Sequence, residues 1–225
     1  RYPTEASGGI WLGDVKFKEL TGAGKFDVND MTYIGNPWPK MFGGFTNTFS
    51  YKGFDLSVLF TATYGNDIYN FMAWQNSNPN NINLGRNMMI HALDYAKLTT
   101  DKDGNAMLAN PGTDVARIIS GADVNGNYAR QTSKWVEDGS YIRLKNVSLS
   151  YNLPQSLLSK QRFVRGVRAT VGAQNLATIT GYSGLDPEVG SYVGANTYTS
   201  NQAIGLDYGR YPLTPIYTFS LNVNF

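Results

Sequence analysis

Phe54-Asp55-Leu56-Ser57-Val58-Leu59-Phe60-Thr61-Ala62-Thr63-Tyr64 decides how the rest of the chain is read. Phe54, Leu56, Val58, Phe60, Ala62 and Tyr64 fall on one phase of a two-residue repeat. Asp55, Ser57, Leu59, Thr61 and Thr63 fall on the other. Period two is the mark of a strand with two unlike faces. At about 3.4 Å per residue, about 11 such residues suffice for a tilted passage through a bilayer. Phe54 and Tyr64 close the two ends of the apolar phase, as in the aromatic girdles of lipid-facing strands.

Working outward, the pattern repeats. Phe45, Phe49 and Tyr51 oppose Thr46, Thr48 and Ser50, and only Lys52-Gly53 separates this segment from Phe54, which predicts a tight hairpin. In a third segment, Tyr141 to Tyr151, Val147, Leu149 and Tyr151 oppose Asn146, Ser148 and Ser150. Arg143 and Lys145 fall on its apolar phase, so a bulge is expected there, or emergence into water. A fourth segment sets Val167, Ala169, Val171 and Ala173 against Arg168, Thr170, Gly172 and Gln174. In the last, Tyr217, Phe219, Leu221, Val223 and Phe225 alternate with Thr218, Ser220, Asn222 and Asn224. The connections alternate between short and long, as in outer-membrane barrels with short periplasmic turns and long outer loops. By parity, Lys52-Gly53 and Phe225 lie on the periplasmic side, and loops of about 65–138 and 175–212 face outward. Within the first loop, Asn83 to Leu98 is expected to form a short helix and Thr100 to Asn105 a turn. Gln155 to Leu158 is expected to form a helical turn.

Composition agrees with an all-β membrane wall. The chain has 225 residues, of which 13% are aromatic, 24 are Gly and only 16% are charged. The charged share lies well below the roughly 25% of an average soluble domain. A net charge of +2 from 19 basic and 17 acidic residues gives no footprint for nucleic acid. Without cysteine there is no thiolate chemistry and no disulfide framework. No stretch of about 18 apolar residues predicts a membrane helix. The chain opens without Met or an apolar leader, so it is expected to be an internal-to-C-terminal piece of something longer.

Four stretches, in order, resemble the C-terminal part of SusC/RagA-type TonB-dependent outer-membrane transporters. They are Gly13-Asp14-Val15-Lys16-Phe17-Lys18 with Tyr33-Ile34-Gly35-Asn36-Pro37; Phe54-Asp55-Leu56-Ser57 with Tyr64-Gly65-Asn66-Asp67-Ile68-Tyr69-Asn70; Gly139-Ser140-Tyr141-Ile142-Arg143-Leu144-Lys145-Asn146-Val147 with Tyr151-Asn152-Leu153-Pro154; and Gln174-Asn175-Leu176 with Tyr182-Ser183-Gly184-Leu185-Asp186-Pro187-Glu188. The resemblance implies a barrel of about 22 strands with a plug in its lumen. About five or six of those strands are here, and residues 1–225 carry no plug. It also implies a multi-pass protein of the bacterial outer membrane, importing oligosaccharides or peptides. The implied partners are a SusD-like surface lipoprotein, the TonB complex acting through the plug, outer-membrane lipids and the barrel-assembly machinery. Phe225 resembles the assembly signal of such barrels. The acidic, Gly-rich turn that often follows the Gly-Asp-Val-Lys stretch in the family is replaced by Glu19-Leu20-Thr21-Gly22-Ala23-Gly24-Lys25, which removes a calcium ligand set.

No residue constellation points to catalysis or a cofactor. His91 is the only histidine and has no nucleophile or second ligand beside it. Asp101, Asp103 and Asn105 match the first EF-hand ligands, but Ala106 and Gly112 stand where Gly and Glu are required, leaving a polar turn. Asp186 and Glu188 read as a turn motif rather than a glycosidase pair. The substrate or partner candidates are the loop aromatics Tyr69, Trp74, Tyr182, Tyr192 and Tyr198, because aromatic faces stack on sugars and pack on proteins. They equally serve to order loops. Thr61, Thr63, Ser148, Thr170 and Gln174 are expected to line the lumen. A passive porin, a soluble carbohydrate-binding β-sandwich and an enzyme are the alternatives. The sandwich would bury Leu56, Val58, Phe60, Phe219 and Leu221 between two sheets.

Overall fold

The computed structural model describes residues 10–24, 27–119, 123–159, 163–189 and 204–225. Among these the strands are β1 (Met41–Tyr51), β2 (Phe54–Tyr64), β3 (Asp67–Asn70), β4 (Leu98–Thr100), β5 (Ala106–Leu108), β6 (Val136–Asp138), β7 (Tyr141–Asn152), β8 (Gly166–Thr180), β9 (Leu206–Asp207) and β10 (Ile216–Asn224). Two short helices, α1 (Phe71–Asn76) and α2 (Gln155–Leu158), accompany them. The long strands form one antiparallel sheet in the order β1-β2-β7-β8-β10. By contact the chain divides into two compact units, Arg1–Gly35 with Tyr69–Val136, and Asn36–Ile68 with Glu137–Phe225.

The second unit carries the sheet, and its register sorts side chains into unlike rows. Phe49, Leu56, Leu149, Val171 and Phe219 stand abreast across all five strands, as do Tyr51, Phe54, Tyr151, Ala169 and Leu221. Between them run Ser50, Asp55, Ser150, Thr170 and Ser220. Because neighbouring rows point to opposite faces, one face is apolar and the other hydroxylic and ionic. The apolar face is the bare one: Phe219 is 72% exposed and Phe45 62%, with Phe60 and Leu221 exposed beside them. Leu56 and Val58 are half-buried by their neighbours. The fully buried side chains of the sheet are polar, Arg143 and Ser150. Burying one such aromatic is worth about 1.5–3 kcal/mol in water. A sheet that shields Ser and Arg while leaving Phe bare is stable when the bare face meets lipid. The β-sandwich alternative fails here, because none of its five marker residues is buried.

Lys52 and Gly53 close the β1–β2 hairpin with φ of 46° and 88°. Two consecutive left-handed residues are the requirement of the two-residue turn that matches strand twist. The expected bulge is present. Pairing of β7 with β2 shifts between Leu59 and Phe60, where Lys145 is the extra residue. Pairing with β8 shifts at the same level, with Asn175 and Leu176 opposite Lys145. The shift moves Arg143 into a row with Thr61 and Thr178, off the apolar face. Asn175 absorbs the extra residue at φ 50°, a left-handed conformation that Asn tolerates and β-branched residues do not. Its side-chain oxygen is buried with no hydrogen-bond partner among the described residues, so the side chain itself adds little. Asn175→Gly is therefore expected to leave barrel stability nearly unchanged, and Asn175→Val to cost about 1–2 kcal/mol. Urea unfolding of the two variants in detergent checks this; equal midpoints would sink the assignment.

Some expectations are corrected. β8 runs on to Thr180, so the second loop starts after Thr180 and not at Asn175. No helix spans Asn83 to Leu98. A 3-10 turn at Pro79–Leu84 ends on Gly85 at φ 61°, another covers Ile90–Asp94, and Leu98 begins β4. The asparagines compete with helix for backbone donors and acceptors: Asn78 takes the Asn80 N–H, and Asn81 donates to the Gln75 carbonyl at 2.6 Å.

In the first unit, β4 and β5 pair around Asp101 to Asn105. Elsewhere, the Asp14 carboxylate receives Arg117 Nε at 2.8 Å, the Trp11 N–H at 2.8 Å and Asn127 Nδ2 at 2.9 Å. Asn127 Oδ1 in turn accepts the Val15 N–H at 2.8 Å, and Asn125 Nδ2 donates to the Val15 carbonyl at 2.9 Å. The Asp14 and Arg117 side chains are almost entirely buried. Thus the Gly13-Asp14-Val15 stretch is held by residues more than a hundred positions downstream.

Candidate functional site

The densest charge cluster of the sheet lies where β7 meets the loop after β8. Arg143 Nη2 donates to Asp186 Oδ1 at 2.5 Å, and its Nη1 faces Glu188 Oε2 at 3.2 Å. Lys145 Nζ reaches the same Glu188 oxygen at 3.3 Å. Arg143 is 1% exposed, Asp186 11% and Glu188 40%. Asp186 also caps its own turn, accepting the Glu188 N–H at 2.9 Å, and its other oxygen accepts the Leu213 N–H at 2.9 Å. Burial alone would raise the Asp186 carboxyl. The Glu188 and Leu213 N–H groups and the Arg143 guanidinium outweigh it and hold Asp186 below the usual carboxylate range. The bulge is what makes the cluster possible, because a regular β7 would turn both cations toward lipid. Asp186 and Glu188 are ion-paired partners of the wall, which is a fixed-loop role.

The loop base is bound at further points. Tyr182 donates its O–H to Asp207 Oδ2 at 2.6 Å, and Asp207 Oδ1 accepts the Gly209 N–H at 2.8 Å. Arg210 Nη1 donates to the Val189 carbonyl at 3.1 Å. Glu137 takes the Ser183 N–H and hydroxyl, each at 2.8 Å. A Cβ on Gly184 would run into the Tyr182 ring, so Tyr-Ser-Gly packs as one piece. Ile68, Tyr182 and Val189 form the apolar core beneath. Burial, with the Asp207 hydrogen bond and charge, pushes the Tyr182 phenol well above its ordinary range, so it stays a donor.

Of the five aromatic candidates, Tyr69, Trp74 and Tyr182 are among the described residues. Tyr182 and Tyr69 are buried and order their loops, so neither presents a bare ring face. Trp74 on α1 packs against Phe71 with ring centroids 4.7 Å apart, and its Nε1 is buried without a hydrogen-bond partner among the described residues. Tyr192 and Tyr198 lie outside the described residues. Phe225 is exposed just past the end of β10. His91 Nε2 lies 2.6 Å from Ser77 Oγ, whose hydroxyl proton goes to the Ala73 carbonyl at 2.5 Å. The imidazole is therefore the donor to Ser77, the reverse of an activating base. Asp101 Oδ1 accepts the N–H groups of Asp103 and Asn105 at 2.9 and 2.7 Å, closing a turn. Among the described residues no cluster of His, Cys, Asp or Glu is arranged to hold a metal ion.

Sequence reading missed Arg143 and Lys145 as partners of the Leu-Asp-Pro-Glu turn. Their place on the apolar phase was the signal: two cations there require a bulge and a nearby acid. It also missed Asp207 and Arg117, for which no local pattern exists.

A sheet with hydroxyl and ionic rows on its sheltered face, aromatic rows on its bare face and loops tied to the sheltered side defines a segment of β-barrel wall. No helix among the described residues is long and apolar enough to cross a membrane, which leaves crossing to strands. Two solved structures share this fold. The RagAB peptide importer matches in its "closed-closed" state with TM-score 0.67, 26% identity, and coverage of 89% of this chain and 19% of that one. Its "open-open" state matches with TM-score 0.67, 25% identity and the same coverage. No family model matches the chain. Among curated relatives, TonB-dependent receptor P3 of Formosa agariphila is 36% identical over 95% of this chain, and TonB-dependent receptor P26 of the same organism is 33% identical over 95%. TonB-dependent receptor SusC of Bacteroides thetaiotaomicron is 29% identical over 81%. The chain belongs to the TonB-dependent receptors of the SusC/RagA type. It spans about a fifth of the length of these relatives: 19% of P3, 20% of P26 and 16% of SusC.

Proposed function

We propose that this chain is part of the barrel wall of an energy-coupled importer of oligosaccharides or peptides in the bacterial outer membrane. The observation that carries the reading is the sorting of rows, bare aromatics on one face and buried Arg143 and Ser150 on the other. The outer face meets lipid, and Thr61, Ser148 and Thr170 look into a lumen filled by a plug. The complete barrel has about 22 strands. Lys52-Gly53 and Phe225 lie on the periplasmic side, and the loops after Tyr64 and Thr180 face the exterior. A SusD-like lipoprotein covers the outer mouth and delivers substrate, and TonB draws on the plug to release it inward. Loop residues Trp74, Tyr192 and Tyr198 are the substrate or partner contacts; Tyr69 and Tyr182 support them by ordering the loops. Phe225 serves as the signal for barrel assembly. The protein performs no covalent chemistry, in keeping with relatives named as receptors and an importer.

The test uses the complete protein in its native cells. Uptake of a labelled oligosaccharide or peptide pool is expected to fall to background when TonB is deleted or the proton gradient is collapsed. Shortening the chain by Phe225 is expected to lower its surface abundance. Uptake that survives both treatments would assign the protein to the passive porins instead.

A further inference from the structure

We propose that the Arg143 cluster is a releasable lock on the loop after β8: it pins residues 185–188 to the inner wall, and its opening frees them without loosening the strands. The inference rests on the barrel reading above, since it takes the Arg143 face as the lumen side.

Three observations carry it. First, the ion pairs all join one short stretch of the loop to one strand. Asp186 and Glu188 supply the acids, and Arg143 and Lys145 the bases. The pairing of β7 with β8 and β2 runs through backbone bonds that do not involve these side chains. Second, the lock is graded. Asp186 is 11% exposed and sits 2.5 Å from the guanidinium. Glu188 is 40% exposed and stretches between two cations at 3.2 and 3.3 Å. The outer acid is thus the one that solvent or an incoming charged group reaches first. Third, Arg143 is 1% exposed and yet underused. Its Nε has no hydrogen-bond partner among the described residues, and Nη1 meets Glu188 as an ion pair without hydrogen-bond geometry. A buried guanidinium with donors to spare accepts a competing carboxylate at little cost, because the new acceptor replaces one bond and satisfies another.

The near end of the loop is held independently. Ser183 is bound to Glu137, and Tyr182 to Asp207. The far end is held too, by the Arg210 bond to the Val189 carbonyl and by the core that Val189 shares with Ile68 and Tyr182, so opening the lock frees residues 185–188 between two fixed points. The Leu213 N–H, which shares Asp186, is released with them.

Hydrogen exchange read by mass spectrometry on the full-length protein in detergent micelles tests the lock. Asp186→Asn combined with Glu188→Gln is expected to speed amide exchange over residues 185–188 and at Leu213 by at least about tenfold, with β7 and β8 unchanged. Unchanged exchange in the loop overturns the proposal. An equal rise throughout β7 and β8 also overturns it, because the cluster would then be part of the wall. Arg143→Met alone leaves the sheltered Asp186 without its counter-charge, while Glu188 keeps Lys145, and risks misassembly. The pair Arg143→Met with Asp186→Leu removes both charges, and it is expected to assemble while keeping the loop fast. If that pair restores slow exchange, the lock is not ionic and the proposal fails. Failure of the barrel reading is seen separately, as a full-length protein that extracts from membranes without detergent.

Discussion

Asp14→Ala in the full-length protein is expected to destabilise the first unit by about 3–5 kcal/mol. Asp14 receives Arg117, the Trp11 N–H and Asn127, and the ion pair is nearly dry. Removing the carboxylate leaves a buried guanidinium without its counter-charge, which costs more than the pair was worth as an interaction. It also removes the acceptor that positions Asn127, and through it the Val15 backbone. The double variant Asp14→Leu with Arg117→Met removes the stranded charge and is expected to be milder than Asp14→Ala alone. Protease susceptibility of residues 69–135, measured across a urea series, reports the difference. A single variant as resistant as the parent would mean that the pair holds nothing together.

Val58→Arg is expected to cost about 2–4 kcal/mol when the protein is folded in lipid. Val58 sits near the middle of β2 and shares its face with Val147 across the strand pair, so an arginine there is forced into hydrocarbon. Thr61→Arg, on the opposite face beside Arg143, is expected to cost much less. Urea unfolding in phospholipid vesicles compares them. Equal losses would remove the assigned facing, and with it the membrane reading of the sheet.

Residues Phe54–Tyr64 made the sheet legible because each residue's environment depends on a repeat of two, which is local information. The hairpin at Lys52-Gly53 was legible for the same reason, since a two-residue turn needs two left-handed conformations and Gly supplies one freely. The bulge was half legible. Arg143 and Lys145 on the wrong phase announced an irregularity, but its twin at Asn175 lies thirty residues on and leaves no mark in composition. The Asn83 to Leu98 stretch was misread because apolar spacing favours helix there, while Gly85 ends the first 3-10 turn in the left-handed region and Asn78 and Asn81, just before the stretch, bond backbone groups that a helix would use. The Asp14–Arg117 pair and the Tyr182–Asp207 bond join residues far apart in sequence, and no periodicity encodes which distant side chain closes them. Tyr182 looked like a binding aromatic for the same reason: sequence shows a ring and hides the carboxylate that occupies its hydroxyl.

The bulge at Lys145 has a consequence for how such a wall changes over time. Residues above and below it are read in opposite frames, so it works as a joint between a membrane-crossing band and a rim. Gain or loss of one residue on the rim side can be absorbed there by shifting the joint. The lipid-facing rows from Val58 down to Phe54 need not move. The rim, with Arg143 and the loop it holds, is thereby free to diverge in sequence while the band beneath keeps its rows in place.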